Sequence, residues 1–408
     1  MKKEKRFVVL GLLCLVLIFG LVPLSVQGDN YAHIVYPSGD VTGFDDVTNI
    51  QAAFDSVECG TVKLAKGVFY IADSIFVSDF KGTLKGLGNG DTIIQVVATI
   101  SPVFSFNVGS DMSLRVTKLA FCTEYAGVTA IEITSDSGPM EGSLHIQDCR
   151  FSNIEVGIAT YDHYSSDITI THNEFYDVGH AVYLAGPYDD CEISISHNTI
   201  DVARHGVEVY DVDESDVLIF HNAMTGIYDS EETYETGSAI QVAQMSRFGA
   251  AGHVSILCNF IQGYTRWIWG FDMIDVADYG PLYTGQQGNL KSVIAFNTIE
   301  LDDSLWGGIG VIGGFSDTLI AHNHVSGSGC AAICVSFWSL WDLETQTGVK
   351  VILNDVLEFE AVPVSGWIDP VAPIWLGPGV FDSYVIGKGD PSTVLDVSGS
   401  NTVIFIGH

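Results

Sequence analysis

Hydrophobic and polar residues repeat along most of the chain with a basic spacing of 24 or 25 residues. The unit follows the pattern I-x-x-N-x-apolar, and longer gaps after Asn222 and Asn259 indicate insertions. A fixed period of this length predicts a solenoid, because one such unit is too small to bury a core of its own. The aligned stretches are VTKLAF from residue 116, IQDCRF from 146, ITHNEF from 170, ISHNTI from 195, IFHNAM from 219, ILCNFI from 256, IAFNTI from 294, IAHNHV from 320 and ILNDVL from 352.

Several units contain a second run in which apolar and polar residues alternate. These runs are HAVYL (180–184), HGVEV (205–209), SAIQV (238–242), GGIGV (307–311) and AAICV (331–335). Alternation with a period of two predicts β-strands with one face inward, and the inward positions are Val182, Val207, Ile240, Ile309 and Ile333. We therefore expect an all-β solenoid, a parallel β-helix whose coils stack about 4.8 Å apart.

The fourth position of the first pattern predicts an asparagine ladder. A sharp corner between strands often needs a left-handed residue, which asparagine tolerates, and stacked amides can hydrogen-bond from coil to coil. The position is occupied by Leu119, Cys149, Asn173, Asn198, Asn222, Asn259, Asn297, Asn323 and Asp355.

Histidine is the commonest residue just before these asparagines. Soft metal ions favour clustered histidine, cysteine and methionine, so the column was a candidate metal site. Adjacent members would lie one coil apart, however, and Phe296 interrupts the column, so a structural role is favoured. The members considered are His172, His197, His221, Cys258 and His322.

The region before the repeats predicts one helix and a first strand. In DDVTNIQAAFDSV the residues Val47, Ile50, Ala53, Phe54 and Val57 have helical spacing, and GTVKLAKGVFYI follows as a strand. A helix across the open end of a solenoid would cover exposed apolar strands, so we expect an N-terminal capping helix. The predicted division is residues 29–100 for the cap and first coils, and 101–408 for the repeats.

Residues 1–28 predict an export signal. The start MKKEKR is basic, residues 7–24 are almost wholly apolar, and VQG offers small residues for cleavage after Gly28. The alternative is an uncleaved anchor, because an apolar run of this length is at the lower limit for crossing a membrane. We expect a secreted or cell-surface protein.

The net charge of −33 at pH 7 excludes two classes of partner. Nucleic acid and anionic membranes would be repelled by such a surface, so we expect no membrane contact beyond the signal segment. The charge fits solubility or salt tolerance, with cation binding as the alternative.

Seven cysteines remain after residue 28, an odd number without a CxxC pair, so neither a disulfide framework nor a zinc site is indicated.

Longer stretches carry a resemblance to a known family. GDVTGFDDVTNIQAAFD, GTVKLAKGVFYI and GTLKGLGNGDTII, within residues 39–95, resemble the opening of pectate-lyase superfamily proteins of the rhamnogalacturonase and epimerase-like branch. The repeats from about 114 to 360 are similar to the right-handed β-helix family of exported carbohydrate-binding and sugar-hydrolysing proteins, which includes the nitrous-oxide-reductase maturation proteins. The resemblance implies a single-stranded right-handed parallel β-helix of roughly ten or eleven coils, and says little about chemistry.

Outward positions between the inward valines predict columns along which a polymer could lie. Aromatic rings, carboxylates, histidine and arginine are the groups that a sugar site uses, although outward residues are often polar or aromatic in any case. One column is Ala159, Tyr183, Glu208, Gln241 and Trp269, the next is Tyr161, Ala185, Tyr210 and Ala243, and the flanking residues are Asp162, His163, Arg204, His205, Asp211 and Arg266.

The insertion at residues 263–289 is rich in aromatic residues. It contains Trp267, Trp269, Phe271, Tyr279 and Tyr283. Long loops on a repeat scaffold usually gather on the binding side, so the insertion favours a binding role; a loop with its own small apolar core is the alternative.

Two classes of sugar-acting enzyme provide templates for a catalytic site in this chain. Polygalacturonases carry Asn-x-Asp, Asp-Asp, Gly-His-Gly and Arg-x-Lys on successive coils; here Asp189 and Asp190 and the pair His205-Gly206 match in part, but no Arg-x-Lys is present. Lyases and epimerases instead abstract the proton next to a uronate carboxyl, while calcium or a cationic side chain stabilises the charge. Calcium is possible at YDVDESD (210–216), although an acidic loop on an acidic protein is commonly only solvated.

These observations predict a protein that engages an extracellular or cell-surface polysaccharide, with lyase, epimerase or hydrolase activity on an acidic sugar as an open possibility. The alternative is a non-catalytic surface or envelope protein that uses the solenoid for structure or adhesion. No cofactor other than calcium is suggested. The expected catalytic residues are His205, Glu208, Asp211, Arg204 and Tyr210, and the expected substrate-binding residues are Tyr161, Asp162, Tyr183, Gln241, Arg266, Trp267 and Trp269.

Overall fold

Short strands follow one another along the chain and pair in parallel with the strands of the next coil. In a computed structural model of the chain, this arrangement joins the strands into one 34-stranded sheet, with a separate two-stranded sheet formed by Gln346–Thr347 and Val380–Phe381. The structure describes residues 32–88, 90–109, 112–135, 140–161, 164–228, 237–244, 252–264, 273–278, 291–302, 304, 306–313, 317–336, 346–362, 372–377, 380–388, 391–397 and 400–406. Residues 1–28, for which an export signal is predicted, lie outside these residues.

The large sheet folds into three faces, which we call faces A, B and C. Face A contains fourteen strands within the described residues, more than the ten or eleven coils expected, because the cap region also forms coils. These strands are Ala32–Val35, Cys59–Leu64, Lys81–Lys85, Met112–Thr117, Met140–Gln147, Tyr164–Thr171, Glu192–Ser196, Asp216–Phe220, His253–Leu257, Lys291–Ala295, Leu319–Ala321, Lys350–Ile352, Tyr384–Lys388 and Thr402–Ile406.

Faces B and C share three long strands that continue from one face into the other: Arg150–Tyr161, Glu174–Asp189 and Thr199–Asp213. Face B also contains Gly67–Ile71, Thr92–Val96, Ala120–Thr123, Ala223–Tyr228, Phe260–Tyr264, Thr298–Leu301, His324–Gly329 and Phe359–Ala361. Face C also contains Ile75–Ser78, Phe104–Asn107, Thr129–Thr134, Ser238–Gln244, Ile274–Asp278, Ile309–Gly313, Ile333–Ser336, Ile374–Leu376 and Val394–Asp396.

The core lies between the three faces, and the alternation in the sequence places it there. The five inward positions predicted above are all fully buried: Val182, Val207, Ile240, Ile309 and Ile333. On face B the rings of Phe121, Phe151 and Phe175 stack from coil to coil, with centroids 5.2 and 4.8 Å apart. The prediction of an all-β parallel solenoid is therefore confirmed.

The asparagine ladder is present, and its hydrogen bonds show why each coil needs the amide. Asn222 Oδ1 accepts from the backbone N–H of Asn198 at 3.0 Å, and Asn222 Nδ2 donates to the Ile195 carbonyl at 2.9 Å. The same pattern connects Asn173 through Asn323, and it continues to Asn354. The sequence pattern predicts Asp355 at this last position, which is wrong by one residue, because Asn354 makes the contact.

The left-handed corner was assigned to the wrong residue of the pair. The positive φ falls on the residue before each asparagine, for example 57° at His172, 56° at His197 and 53° at His221. Cys258, Phe296 and His322 occupy the same position with φ between 54° and 59°. The histidines of this column therefore occupy the left-handed corner positions of successive coils. The rings of His172 and His197 stack with centroids 5.0 Å apart because their corners are one coil apart.

The corner geometry predicts a stability difference at His197. We expect His197→Val to lower the free energy of unfolding by about 1 to 2 kcal/mol relative to His197→Asn, because a β-branched side chain is strained at φ 56° and asparagine is not. Urea unfolding followed by circular dichroism measures the difference. Equal stability of the two variants would show that the corner does not determine the residue type.

The helix α1 (Phe44–Asp55) lies between the first two strands of face A, Ala32–Val35 and Cys59–Leu64. Its buried side chains include Ile50, Ala53 and Phe54. The Phe54 ring meets the edges of Phe80, Phe104 and Phe106 at centroid distances of 5.0, 6.4 and 6.0 Å. The helix was predicted correctly, whereas its role as a cap on the open end stays a prediction. Within the described residues no helix is both long enough and apolar enough to cross a lipid bilayer.

Candidate functional site

The strands of face C bring one column of side chains into register. Ala159 pairs with Tyr183, Tyr183 with Glu208, and Glu208 with Gln241, as the sequence predicts. The next position is Asp275, which replaces Trp269 in the predicted column because the insertion shifts the count. Although the column points away from the core, Glu208 and Gln241 are each only 2% exposed and Asp275 is fully buried. The predicted open groove is therefore closed over these three residues.

A second column places two histidines against Glu208. His180 pairs with His205 across adjacent coils, and their rings stack with centroids 4.7 Å apart and planes within 4°. His180 was missed from the sequence, even though it occupies the same first position of HAVYL as His205 occupies in HGVEV. The repeated histidine at the head of two alternating runs was the signal that could have found it.

The Glu208 carboxylate lies beside the two stacked imidazoles and contacts both of them. One oxygen hydrogen-bonds to His180 Nδ1, and the other lies 3.5 Å from His205 Nδ1. The exposed fractions of the side chains are 3% for Glu208, 7% for His205 and 26% for His180. We call these three residues the His–Glu cluster; His180 is the member that solvent or a ligand can reach.

The surroundings of Glu208 keep it ionised. Burial by itself would raise the pKa of this carboxyl. The charge of His205, the hydrogen bond from His180 and the hydrogen bond from Tyr210 outweigh burial, so the pKa lies below its ordinary value. A buried carboxylate that stays charged is a group that can stabilise a positive charge close to it.

A hydrogen-bonded chain continues from Glu208 to the next two coils. The Tyr210 hydroxyl lies 2.9 Å from Glu208 Oε1 and 2.6 Å from Gln241 Oε1. Gln241 Nε2 donates to Asp275 Oδ2 at 3.0 Å. Burial, followed by the charge of Glu208, raises the pKa of Tyr210, so the phenol stays protonated and holds the carboxylate in place.

Three half-buried tyrosines form a row along the same face, which we call the tyrosine row. The ring centroids of Tyr161 and Tyr183 lie 5.8 Å apart, and those of Tyr183 and Tyr210 lie 5.7 Å apart. The edge of the Tyr183 ring also meets the His180 ring, at 5.8 Å. Burial raises the pKa of Tyr161 and Tyr183, and Glu208 adds to the shift at Tyr183, so these rings present neutral phenols.

The other expected site residues lie elsewhere. Arg204 forms an ion pair with Glu155 and lines a different groove, together with Asp177 and Tyr228. Asp211 is buried at a left-handed position with φ 58°. Asp162, His163, Arg266, Trp267 and Trp269 lie outside the described residues.

The acidic segment at residues 210–216 is divided among different surroundings. Tyr210 turns to Glu208, whereas Asp216 is exposed and lies 3.1 Å from His253 Nδ1. Calcium binding at this segment stays a prediction. Among the described residues, the group of three His, Cys, Asp or Glu side chains whose ligand atoms approach within 4.8 Å of one another is His180, His205 and Glu208.

Comparisons with known proteins agree with the observed coils. Residues 108–261 match the family model described as right handed beta helix region. No curated protein matches the chain. Among solved structures, DFA-IIIase from Arthrobacter chlorophenolicus A6 in complex with DFA-III is 13% identical, with 92% of this chain and 99% of that chain covered at a TM-score of 0.61.

A second solved structure has the same architecture but is named for a different activity. The A-module of the mannuronan C-5 epimerase AlgE4 from Azotobacter vinelandii is 15% identical, with 91% of this chain and 100% of that chain covered at a TM-score of 0.54. At such identities the likeness shows the fold alone. The chain is a right-handed parallel β-helix protein, and the resemblance stated from the sequence is confirmed at that level.

Proposed function

We propose that the protein engages an extracellular or cell-surface polysaccharide along the tyrosine row and acts on an acidic sugar beside the His–Glu cluster. One observation carries the proposal: an ionised, buried carboxylate contacts the Nδ1 atoms of two stacked imidazoles directly beside a row of half-exposed aromatic rings. Rings provide flat apolar surface for sugar faces, and groups of this type transfer protons. The solved structures named above support it, since one is a module of a mannuronan epimerase and the other is a complex with DFA-III.

The reaction class that best fits these groups starts with proton abstraction next to a uronate carboxyl. The C5–H bond breaks, the proton passes to a base, and its electron pair moves toward the carboxyl group. Return of a proton to the opposite face inverts C5, whereas departure of the 4-linked sugar with its bonding pair leaves a C4–C5 double bond. His180 and Tyr183 are the partly exposed groups of the described site that can exchange the proton.

The function is tested by exposing the mature protein to a panel of uronate polymers and neutral glycans. Products with a C4–C5 double bond absorb in the ultraviolet, new reducing ends report hydrolysis, and proton NMR in deuterated water reports exchange or inversion at C5. We expect retention on at least one acidic polymer together with a product signal. Absence of both retention and product across the panel would overturn the proposal and leave the non-catalytic surface protein as the better interpretation.

Tyr183 gives a prediction for binding. We expect Tyr183→Ala to weaken polysaccharide binding about 10-fold, equivalent to about 1.4 kcal/mol, because the middle ring of the tyrosine row is removed. Isothermal titration with the polymer identified by the panel measures the change. Tyr183→Phe retains the ring and should bind within about threefold of the parent chain; equal losses in both variants would show that the hydroxyl, not the ring, makes the contact.

A further inference from the structure

The His–Glu cluster has the composition of a transition-metal site. We propose that His180, His205 and Glu208 bind one divalent ion of the zinc class. Two imidazoles and a carboxylate are a ligand set that zinc uses in catalytic sites, with a further position left open. The metal site follows from the side chains themselves, whereas the use of the ion on an acidic sugar rests on the proposed function.

The geometry of the coils brings the three ligands together. Parallel pairing places His180 directly beside His205, and Glu208 follows His205 by three residues on the same strand. Their ligand atoms already lie within 4.8 Å of one another. Zinc holds nitrogen and oxygen ligands about 2.0 to 2.2 Å from the ion, and ligand atoms this close to one another can reach one ion after side-chain rotation.

Residues behind the ligands fix the carboxylate. Tyr210 contacts Glu208 Oε1, and Gln241 and Asp275 extend this chain into the next coils. Outer partners of this kind orient metal ligands and contribute to metal affinity. The 26% exposure of His180 leaves one side of the cluster open, where water or a sugar oxygen can occupy the remaining position of the ion.

The charge of the site favours a bound cation. Asp275 places a second carboxylate beyond Tyr210 and Gln241, while the positive charge of Arg204 is engaged by Glu155. A uronate carboxylate approaching Glu208 would meet a like charge unless a cation lay between them. With His180 engaged as a ligand, Tyr183, whose ring meets that of His180, remains a partly exposed phenol of the described site that can donate a proton to the sugar.

Nitrogen ligands also decide which ion is expected. Calcium and magnesium prefer oxygen ligands, so two imidazoles favour zinc or a similar transition metal over both. The other histidine column serves as a comparison within the same chain. His172 and His197 also stack, at 5.0 Å, but each holds a left-handed corner, and His197 is exposed and lacks a neighbouring carboxylate in the contacts described for it.

The test uses the untagged mature chain, stripped with a chelator and dialysed. Titration calorimetry with zinc chloride and, separately, calcium chloride is combined with metal analysis of the dialysed protein. We expect one zinc per chain and at least 100-fold weaker binding of calcium. His180→Ala and Glu208→Gln should each weaken zinc binding at least 10-fold, whereas the control His197→Asn should bind as the parent chain does. Thermal unfolding of every variant shows that the fold is retained.

Each outcome decides the proposal. Zinc binding that is absent in the parent, or that is retained in both cluster variants, overturns the site. One zinc bound without any glycan retention leaves the site standing and removes the proposed function. Glycan turnover that is unchanged after the chelator has removed all zinc overturns the role of the ion in the reaction while leaving the function in place.

Discussion

Glu208→Gln is expected to reduce turnover of the polysaccharide at least about 100-fold. The substitution keeps the size of the side chain but removes the only charge that the cluster presents to both His180 and His205. The native carboxylate accepts hydrogen bonds from His180 and from the Tyr210 hydroxyl. The glutamine amide has only one oxygen, so its N–H group must face one of these two donors. The arrangement that holds the imidazoles is therefore lost together with the charge.

The measurement is the initial rate of product formation on the polymer identified by the glycan panel, at saturating and at low substrate. Because the tyrosine row is unchanged, we expect the loss mainly in kcat, with KM within about threefold of the parent. Glu192→Gln is the matched control, since Glu192 is exposed on face A, and its rate should equal that of the parent. A Glu208→Gln enzyme that works within threefold of the parent rate would remove the cluster from the reaction.

Asn222→Ala is expected to lower the free energy of unfolding by about 3 to 4 kcal/mol. The side chain is 2% exposed and joins three coils. Its oxygen accepts from the backbone N–H and the Nδ2 group of Asn198, both at 3.0 Å. Its nitrogen donates to the Ile195 carbonyl at 2.9 Å and to Asn259 Oδ1 at 3.0 Å. Alanine leaves these buried groups without their partner, and each such loss costs about 1 to 3 kcal/mol before relaxation.

Denaturant unfolding followed by circular dichroism measures this loss, and hydrogen exchange locates it. In a solenoid each coil contacts only its neighbours, so we expect exchange to increase most in the coils of Asn198, Asn222 and Asn259. Ser194→Ala, at a half-exposed position of the neighbouring coil, should change the stability by less than about 0.5 kcal/mol. An Asn222→Ala chain as stable as this control would show that the ladder contributes little to stability.

The two predictions differ in how far the sequence alone supports them. The ladder was visible in the repeat, because every coil must solve the same corner and therefore repeats the same residue type. Its details were not visible: the left-handed residue is the one before the asparagine, and the final rung is Asn354. A repeat fixes spacing between units, but the φ angle of each position depends on the turn that the backbone takes between two faces.

The sequence also singled out residues of the cluster for reasons that were incomplete. Glu208 was expected at a sugar site because it alternates with buried valines, and His205 because it flanks that column; the structure does bring them together. Arg204 is next to His205 in sequence but pairs with Glu155 and lines a different groove. The sequence predicted Trp269 as the next member of the column, whereas Asp275 pairs with Gln241. The length of an insertion does not reveal which residue begins the next paired strand.

By itself, the sequence determined the parallel β-solenoid, its buried valine and isoleucine positions and the asparagine ladder, because the period of the repeat and the alternation within it dictate which side chains face inward. The register of the folded coils, which the sequence does not reveal, places His180 on His205, buries Glu208 beside both rings and lets Tyr210, Gln241 and Asp275 continue the contact. These residues are separated by a coil or more of chain. They meet because parallel strands pair in one register, and a single shift of that register would have placed every one of them elsewhere.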